Sequence, residues 1–296
     1  MSNTKQKILL IGGGGYLGTH LGTLLSDSFQ ITSTSRTKKE NTVQLDLLQP
    51  STFDSIKQTG PFNYIIILAS TLKGLGTTAF KDEYISTDTI GLSHFLQFIA
   101  DNKLSDKLIF TSSMTVYGAD NSLPVKEEGL LNPLSTYGLS KMIAEQIISF
   151  YCKSTATKGV ILRIPGIYGG NRTSGFIYNT AKKCLHNEPI EIDTSSLGYW
   201  ETIHVNDLCK SIKAFIQQYE WKDVISVFNI GYGVKTDIID CAKFIKKSLN
   251  SHSEIIHKGK KGYIDFYLDT EKFKKYASLA DTYLPSLETY VKSIPA

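Results

Sequence analysis

The chain has 296 residues, near twice the ~150-residue length of an average domain, so one large domain or two modest ones fit it. Apolar residues make up 41% and charged residues 20%, which excludes a disordered polar chain, a collagen-like repeat and a small disulfide-stapled scaffold. The balance of 32 basic against 28 acidic residues, a formal +4, is too diffuse for the concentrated basic face of a nucleic-acid binder.

In chain order, Lys7–Ile11 reads as a strand, followed by a glycine run and an amphipathic helix over Tyr16–Leu25. Gln30–Ser35 is a second strand, Thr42–Leu45 a short third and Tyr64–Ala69 an apolar fourth. Asp82–Asp101 has helical periodicity, with Ile85, Leu92, Phe95, Leu96 and Ile99 on one side. A strand at Lys107–Thr111, a helix at Tyr137–Tyr151 and a strand at Val160–Ile164 follow. Strand and helix alternating in this way predict an α/β fold, a doubly wound parallel sheet covered by helices on both faces. Beyond residue 170 the rhythm loosens. Helices are expected at Phe176–Leu185, Asn206–Tyr219 and Asp237–Ser248, and a short strand near Tyr263–Leu268.

No apolar run approaches the ~20 residues of a membrane span. Met1–Lys5 lacks the apolar stretch of a secretory signal, so a cytoplasmic protein is expected. The four cysteines, at 152, 184, 209 and 241, form no CxxC pair and read as free thiols. The histidines form no HExxH or similar set, so no metal site is expected. Lysine runs such as Lys38-Lys39, Lys246-Lys247 and Lys258-Gly259-Lys260-Lys261 read as solvated faces.

Strand, then Gly12-Gly13-Gly14-Gly15-Tyr16-Leu17-Gly18, then helix is the setting a dinucleotide fingerprint requires. Gly12 permits the tight turn, Gly15 lets the backbone approach a pyrophosphate, and Gly18 lets the helix pack on the strand with its N-terminus facing the negative charge. No Gly-Lys-Ser/Thr follows, which excludes a Walker phosphate loop. The first domain is therefore expected to be a Rossmann-type dinucleotide-binding domain over 1–170, with 200–225 returning to it. A smaller C-terminal α+β substrate domain is expected over 171–296. NAD sites place Asp or Glu at the end of the second strand, on the ribose hydroxyls. Here that place holds Ser35, with Arg36 next and no acid before Glu40. A hydroxyl and a guanidinium suit the 2′-phosphate of NADP, with NAD the alternative.

Tyr137-Gly138-Leu139-Ser140-Lys141 puts a phenol and an ammonium one helical turn apart on one face. A nearby cation favours the phenolate and so lowers the phenol from its usual pKa of ~10, as proton exchange with an alcohol or ketone needs.

These motifs come with others in a fixed order: Leu68-Ala69-Ser70, Ser112-Ser113-Met114-Thr115-Val116-Tyr117-Gly118, Pro124 to Glu127, Pro133 and Glu145. Arg163-Ile164-Pro165-Gly166-Ile167-Tyr168-Gly169, Ile203-His204-Val205-Asn206-Asp207-Leu208 and Phe228-Asn229-Ile230-Gly231 complete the set. Over nearly its whole length the chain resembles the extended short-chain dehydrogenase/reductases, the group of nucleotide-sugar epimerases, dehydratases and 4-ketoreductases. The resemblance implies that Tyr137 is the acid/base, that Lys141 holds the nicotinamide ribose and depresses the tyrosine, and that Ser113 hydrogen-bonds the reacting oxygen. It implies cofactor contacts at Leu68, Ala69 and Ser70, and at Asp46-Leu47 near the adenine. It also implies a homodimer, paired through the helices near Asp82–Asp101 and Tyr137–Tyr151.

Departures from the family pattern narrow the chemistry. Dehydratases carry an Asp-Glu pair where this chain has Met114-Thr115. The 3,5-epimerase-reductases carry a Cys and a His where it has Thr115 and Asn171. The Arg that many members place before Ile-His-Val is absent from Gly198-Tyr199-Trp200-Glu201-Thr202. The usual Asn before Gly91 is Asp88, a change expected to touch capping and not chemistry. Thr115, Tyr168, Asn171 and Trp200 are the candidate substrate residues, although Tyr168 serves equally as core packing, and His204 reads as structural. The expected activity is NADP-dependent reduction of a keto group, at C4 of a nucleotide-linked 4-keto-6-deoxy sugar. An NAD(P)-dependent 4-epimerase and a non-catalytic NADP sensor are the alternatives.

Overall fold

A computed structural model describes residues 5–72, 77–193, 200–259, 266–277, 279 and 282–295. It divides into two compact units, one of Met1–Gly118, Leu130–Arg163 and Ile216–Phe228, the other of Ala119–Gly129, Ile164–Phe215 and Asn229–Ala296.

The first unit opens with β1 (Lys7–Ile11), α1 (Tyr16–Leu25), β2 (Gln30–Ser35), β3 (Val43–Gln44) and β4 (Tyr64–Ile67). It continues with α2 (Asp82–Ile85), α3 (Leu92–Asp101), β5 (Lys107–Ser113), α4 (Thr136–Thr155) and β6 (Lys158–Ile164). In the second unit lie β7 (Gly166–Tyr168), α5 (Phe176–Leu185), β8 (Ile190–Asp193), β9 (Thr202–His204) and most of α6 (Val205–Gln218). Strand β10 (Ile225–Asn229) then rejoins the first sheet, so the chain re-enters the first unit at Ile216–Phe228, against an expected 200–225. Helix α7 (Ile238–Ser248), β11 (Ile255–Lys258), α8 (Glu271–Lys274) and α9 (Tyr283–Ser293) complete the second unit.

Seven strands form one sheet in the order β10-β6-β5-β4-β1-β2-β3. The pairs β1–β2, β1–β4, β2–β3 and β4–β5 run parallel. All four residues of β4 are buried, as a strand covered on both faces must be, and β1 is buried from Ile8 to Ile11. The order reverses between β1 and β4, and the crevice outside the carboxyl ends of such strands is where ligands bind in open α/β sheets. The register pairs Ile11 with Ile67, so both strands end at the same level. Two parallel pairs, β8–β11 and β7–β9, belong to the second unit, whose core gathers Ile177, Ala181, Ile190, Ile192, Ile245 and Leu287. The strand expected near Tyr263–Leu268 lies mostly outside the described residues, and Leu268 forms an isolated bridge to Val125. The same holds for Gly198, Tyr199, Lys260 and Lys261.

The expected single helix over Asp82–Asp101 is interrupted. Residues Thr87–Gly91 form a π-helical turn between α2 and α3, closed by the amide of Gly91 donating to the Ser86 carbonyl at 3.0 Å. A Cβ on Gly91 would lie 3.0 Å from the Leu47 backbone, so the turn ends packed closely against that segment. Such wide turns concentrate at functional sites. The four cysteines are free and buried, and burial pushes the thiols of Cys152, Cys209 and Cys241 up to about 12. No helix among the described residues is long and apolar enough to cross a membrane. Among them, too, no three His, Cys, Asp or Glu side chains gather as a metal site would need.

Candidate active site

The glycine loop follows β1 and is shaped by contacts that exclude side chains. Gly12 has a φ of +84°, and a Cβ there would meet the Ala69 backbone nitrogen at 2.8 Å. Leu68 and Ala69 both donate their amides to the Ile11 carbonyl at 2.9 Å, which brings the turn after β4 against the loop. Gly18 has no room for a Cβ beneath the Gly12 carbonyl, while at Gly15 only that carbonyl is near, at 3.1 Å. Gly15 caps α1 without a side-chain acceptor, so the first-turn N–H groups and the positive end of the helix dipole are set for an anion. This cradle fits the pyrophosphate of a dinucleotide. Tyr16 stacks edge-on against His20 at 5.4 Å, and Leu17 is half-buried.

At the end of β2, Ser35 is buried against Gly14, where a Cβ would lie 2.8 Å from that of Ser35. Arg36 and Lys38 are exposed, and the Lys39 ammonium donates to the Gly14 carbonyl at 2.7 Å. Lys39 carried no signal in the sequence beyond its charge. The Leu47 side chain is buried in the core, while Asp46 is half-buried and accepts the Leu48 amide at 3.0 Å.

Ser113, Tyr137 and Lys141 all belong to the first unit. Ser113 ends β5 and caps a short 3-10 turn over Met114–Val116; its Oγ accepts the Thr115 amide at 3.2 Å and the Thr115 hydroxyl at 3.0 Å. Ser135 caps α4 by accepting the Gly138 amide at 3.1 Å, which fixes the turn that carries Tyr137. Lys141 is 2% exposed and lies over the Phe110 ring at 4.6 Å, with Nζ donating to the Thr111 carbonyl at 3.2 Å. Its other partner is Asp88, also 2% exposed, at 3.4 Å. Asp88 therefore meets the candidate catalytic lysine directly, and the expectation that it touches only capping is corrected. The reason is the π-helical turn, which aims this residue inward. The Ser70 hydroxyl, expected on the cofactor, donates to Asp88 at 2.7 Å.

Tyr137 is half-buried. Burial pushes its phenol up, Lys141 draws it down, Asp88 pushes it up and the hydrogen bond with Ser113 draws it down; the net direction is upward. The sequence reading expected a lowered phenol. Lys141 acts in the expected direction, but burial outweighs it and Asp88 opposes it.

One turn beyond Lys141 along α4, Glu145 receives Nε and Nη2 of Arg163 at 3.0 and 2.7 Å, a bidentate pair buried between α4 and β6. Glu145 also accepts the Ser112 hydroxyl at 2.5 Å, and Arg163 Nη1 donates to the Tyr117 hydroxyl at 2.8 Å. Burial draws the guanidinium down, but Glu145 more than reverses this and the net direction is up. The clamp thus ties the residue beside Ser113 to the helix bearing Tyr137.

Of the candidate substrate residues, Thr115 is in the first unit, while Tyr168, Asn171 and Trp200 are in the second. Tyr168 is buried, edge-on to His204 at 5.3 Å and tilted against Tyr290 at 5.6 Å, and belongs to the second core. Trp200 meets Phe176 edge-on at 5.0 Å. His204 accepts the Asn206 amide at 3.3 Å, a structural contact. Sequence reasoning assigned no role to Glu201, which is fully buried and accepts the Leu268 amide at 2.9 Å; burial pushes its carboxyl up to about 8.

A glycine cradle at the switch point of a parallel sheet, joined through Ala69, Ser70 and Asp88 to a lysine one turn from a tyrosine, places the chain among enzymes that use nicotinamide dinucleotides. The chain belongs to the NAD dependent epimerase/dehydratase family, whose family model matches residues 8–231. It is an NAD(P)-dependent enzyme of the extended short-chain dehydrogenase/reductase type. A putative UDP-glucose 4-epimerase of Methanocaldococcus jannaschii is 33% identical over 174 residues, covering 56% of this chain and 55% of that protein. A dTDP-4-dehydro-6-deoxyglucose reductase of Escherichia coli is 28% identical over 275 residues, covering 86% of this chain and 85% of the relative. In fold, the chain is similar to a UDP-glucose 4-epimerase of Thermotoga maritima solved with UDP-glucose, with a TM-score of 0.82, 22% identity and 97% of each chain covered.

Proposed function

We propose that the chain is an NADP-dependent reductase of a keto group, at C4 of a nucleotide-linked 4-keto-6-deoxy sugar. The observation that carries this reading is the end of β2. Ser35 stands there without a carboxylate, Arg36 follows, and Lys39 reaches back onto the glycine loop. Cations and a hydroxyl suit a 2′-phosphate, and a cofactor consumed at each turnover suits a reductase. The Escherichia coli relative, aligned over most of both chains, supports it.

When bound, the reduced nicotinamide supplies the hydride. The chain's own groups manage the proton. Ser113 and Tyr137 would hold the carbonyl oxygen, Tyr137 would give it the phenol proton, and Lys141 would hold the ribose side of the cofactor. The carbonyl thereby becomes an alcohol, and the phenolate regains its proton from solvent.

A 4-epimerase is the second reading, favoured by the names of the archaeal relative and of the Thermotoga maritima protein. Two copies of the chain are proposed to pair through the Asp82–Asp101 stretch and α4, where Ile90 of the π-helical turn and Phe150 of α4 are 59% and 74% exposed. The test is addition of a dTDP-linked 4-keto-6-deoxy sugar with NADPH. Stoichiometric loss of NADPH absorbance is expected, with Tyr137→Phe slower by on the order of 10² or more. Interconversion of 4-epimers with no added reductant, by protein that copurifies with its cofactor, would establish the epimerase instead.

A further inference from the structure

The π-helical turn over Thr87–Gly91 carries one acidic side chain into the interior. Three donors converge on it: the Ser70 hydroxyl at 2.7 Å and the Ser140 hydroxyl at 3.0 Å on Oδ2, and the Lys141 ammonium at 3.4 Å on Oδ1. Ser140 lies on α4 between Tyr137 and Lys141, and its hydroxyl also reaches the Tyr137 carbonyl at 2.9 Å. An amide could use the same partners, its oxygen facing the ammonium and its nitrogen donating to a hydroxyl oxygen, so what the carboxylate adds is a negative charge in contact with Lys141.

We propose that Asp88 is a positioning residue acting through Lys141: its carboxylate balances the ammonium and holds Tyr137 as the neutral phenol, setting the site to give a proton to a carbonyl oxygen. An unopposed ammonium one turn away would favour the phenolate, the form that takes a proton from an alcohol. With Asp88 in contact, the pair presents little net charge to the tyrosine. The upward net direction of the phenol, to which Asp88 contributes, agrees with this.

No other described charge competes for that role. On α4, Glu145 is spent on Arg163. On β5 and the 3-10 turn, Thr111, Ser112, Ser113, Met114 and Thr115 are uncharged, as are Leu68, Ala69 and Ser70 after β4. Lys81, Asp82 and Glu83 at the start of α2, and His94 and Asp101 on α3, are exposed. The favoured direction of hydride transfer rests on the ketoreductase reading; the electrostatic pairing does not.

The test therefore begins without substrate. Tyrosinate absorbance is titrated with pH for the full chain, for Asp88→Asn, and for each in a Tyr137→Phe background, so that the difference isolates the one phenol. Asp88→Asn should lower the midpoint of Tyr137 by on the order of one pH unit, and Asp88→Ser should move it the same way if the amide packs poorly. Cofactor-loaded protein with a 4-keto substrate then gives the second readout. The alkaline fall of NADPH-consuming turnover should move to lower pH by the same amount. A Tyr137 midpoint unmoved or raised in both folded variants overturns the proposal. A lowered midpoint in protein that consumes no NADPH sustains the pairing and refutes only the ketoreductase reading.

Discussion

The Glu145–Arg163 clamp allows the sharpest structural prediction. Glu145→Leu removes both acceptors of a bidentate guanidinium held at 3.0 and 2.7 Å, and leaves Arg163 charged at 4% exposure. Removing one partner of a buried pair costs about 3–5 kcal/mol, because the remaining charge stays desolvated. The Ser112 hydroxyl also loses its acceptor. For units of this size, about 2–4 °C per kcal/mol gives a melting temperature lower by roughly 6–20 °C. Glu145→Leu combined with Arg163→Met removes the stranded charge. Apolar replacement of a whole buried pair is often neutral or better, although the Tyr117 hydroxyl then loses its donor. The double variant should therefore melt above the single one, with a coupling of about 1–3 kcal/mol. Thermal and urea unfolding of the four proteins in the cycle measure it. A double variant at or below the Glu145→Leu single would refute the assignment of that cost to an unpaired guanidinium.

Three further outcomes are expected elsewhere in the chain. Calorimetry should show tighter binding of NADP than NAD, and Arg36→Ala should weaken NADP alone by about 1.5–3 kcal/mol; equal binding of the two cofactors by the unmodified protein would contradict the role given to Arg36. Burial holds the Glu201 carboxyl at about 8 against an ordinary 4.5, so between those values the native chain keeps a proton that the unfolded chain has lost. Stability should fall as pH rises through that window, by at most about 1.4 kcal/mol per unit, and Glu201→Gln should flatten the slope in pH-dependent urea unfolding. Light scattering at micromolar concentration should give a dimer mass, reduced to a monomer by Phe150→Glu; a monomer from the unmodified chain ends the pairing proposal.

What the sequence made legible was whatever local pattern decides. β1, α1 and β2 have the expected bounds because alternation and the glycine run punctuate them, and the Tyr137–Lys141 spacing places both on α4 without tertiary help. The π-helical turn was not legible, since no local pattern marks it and the close approach of Gly91 to the Leu47 backbone, 44 residues away, is a tertiary contact. Strands β7 and β9 are three residues each, too short for a periodic signal, and gain their form by pairing Gly166 with Thr202. Strand β10 joins β6 at the sheet edge, a placement that no local pattern could give. Asp88 was visible as a departure from the family pattern. Its direction was not, because a residue in a widened turn no longer follows the 3.6-residue period by which a helical face is read.

That departure and the one at Thr115 bear on the same proton. The Ser113 oxygen accepts from both the amide and the hydroxyl of Thr115, which fills its two lone pairs. Its own hydrogen is then free to turn to the Tyr137 oxygen, whose phenol Ser113 draws down. A phenol that accepts from Ser113 keeps its own hydrogen available for another oxygen. Asp88, by balancing Lys141, opposes the loss of that hydrogen before an acceptor arrives. On the proposed mechanism an incoming carbonyl oxygen takes the phenol hydrogen and competes for that of Ser113. Where dehydratases of the family carry two carboxyls, this chain uses a threonine hydroxyl to orient the serine. An acid pair there would compete for the Ser113 hydrogen and bring its own proton chemistry. On the proposed mechanism its absence leaves Tyr137 as the proton donor, which supports reduction over elimination.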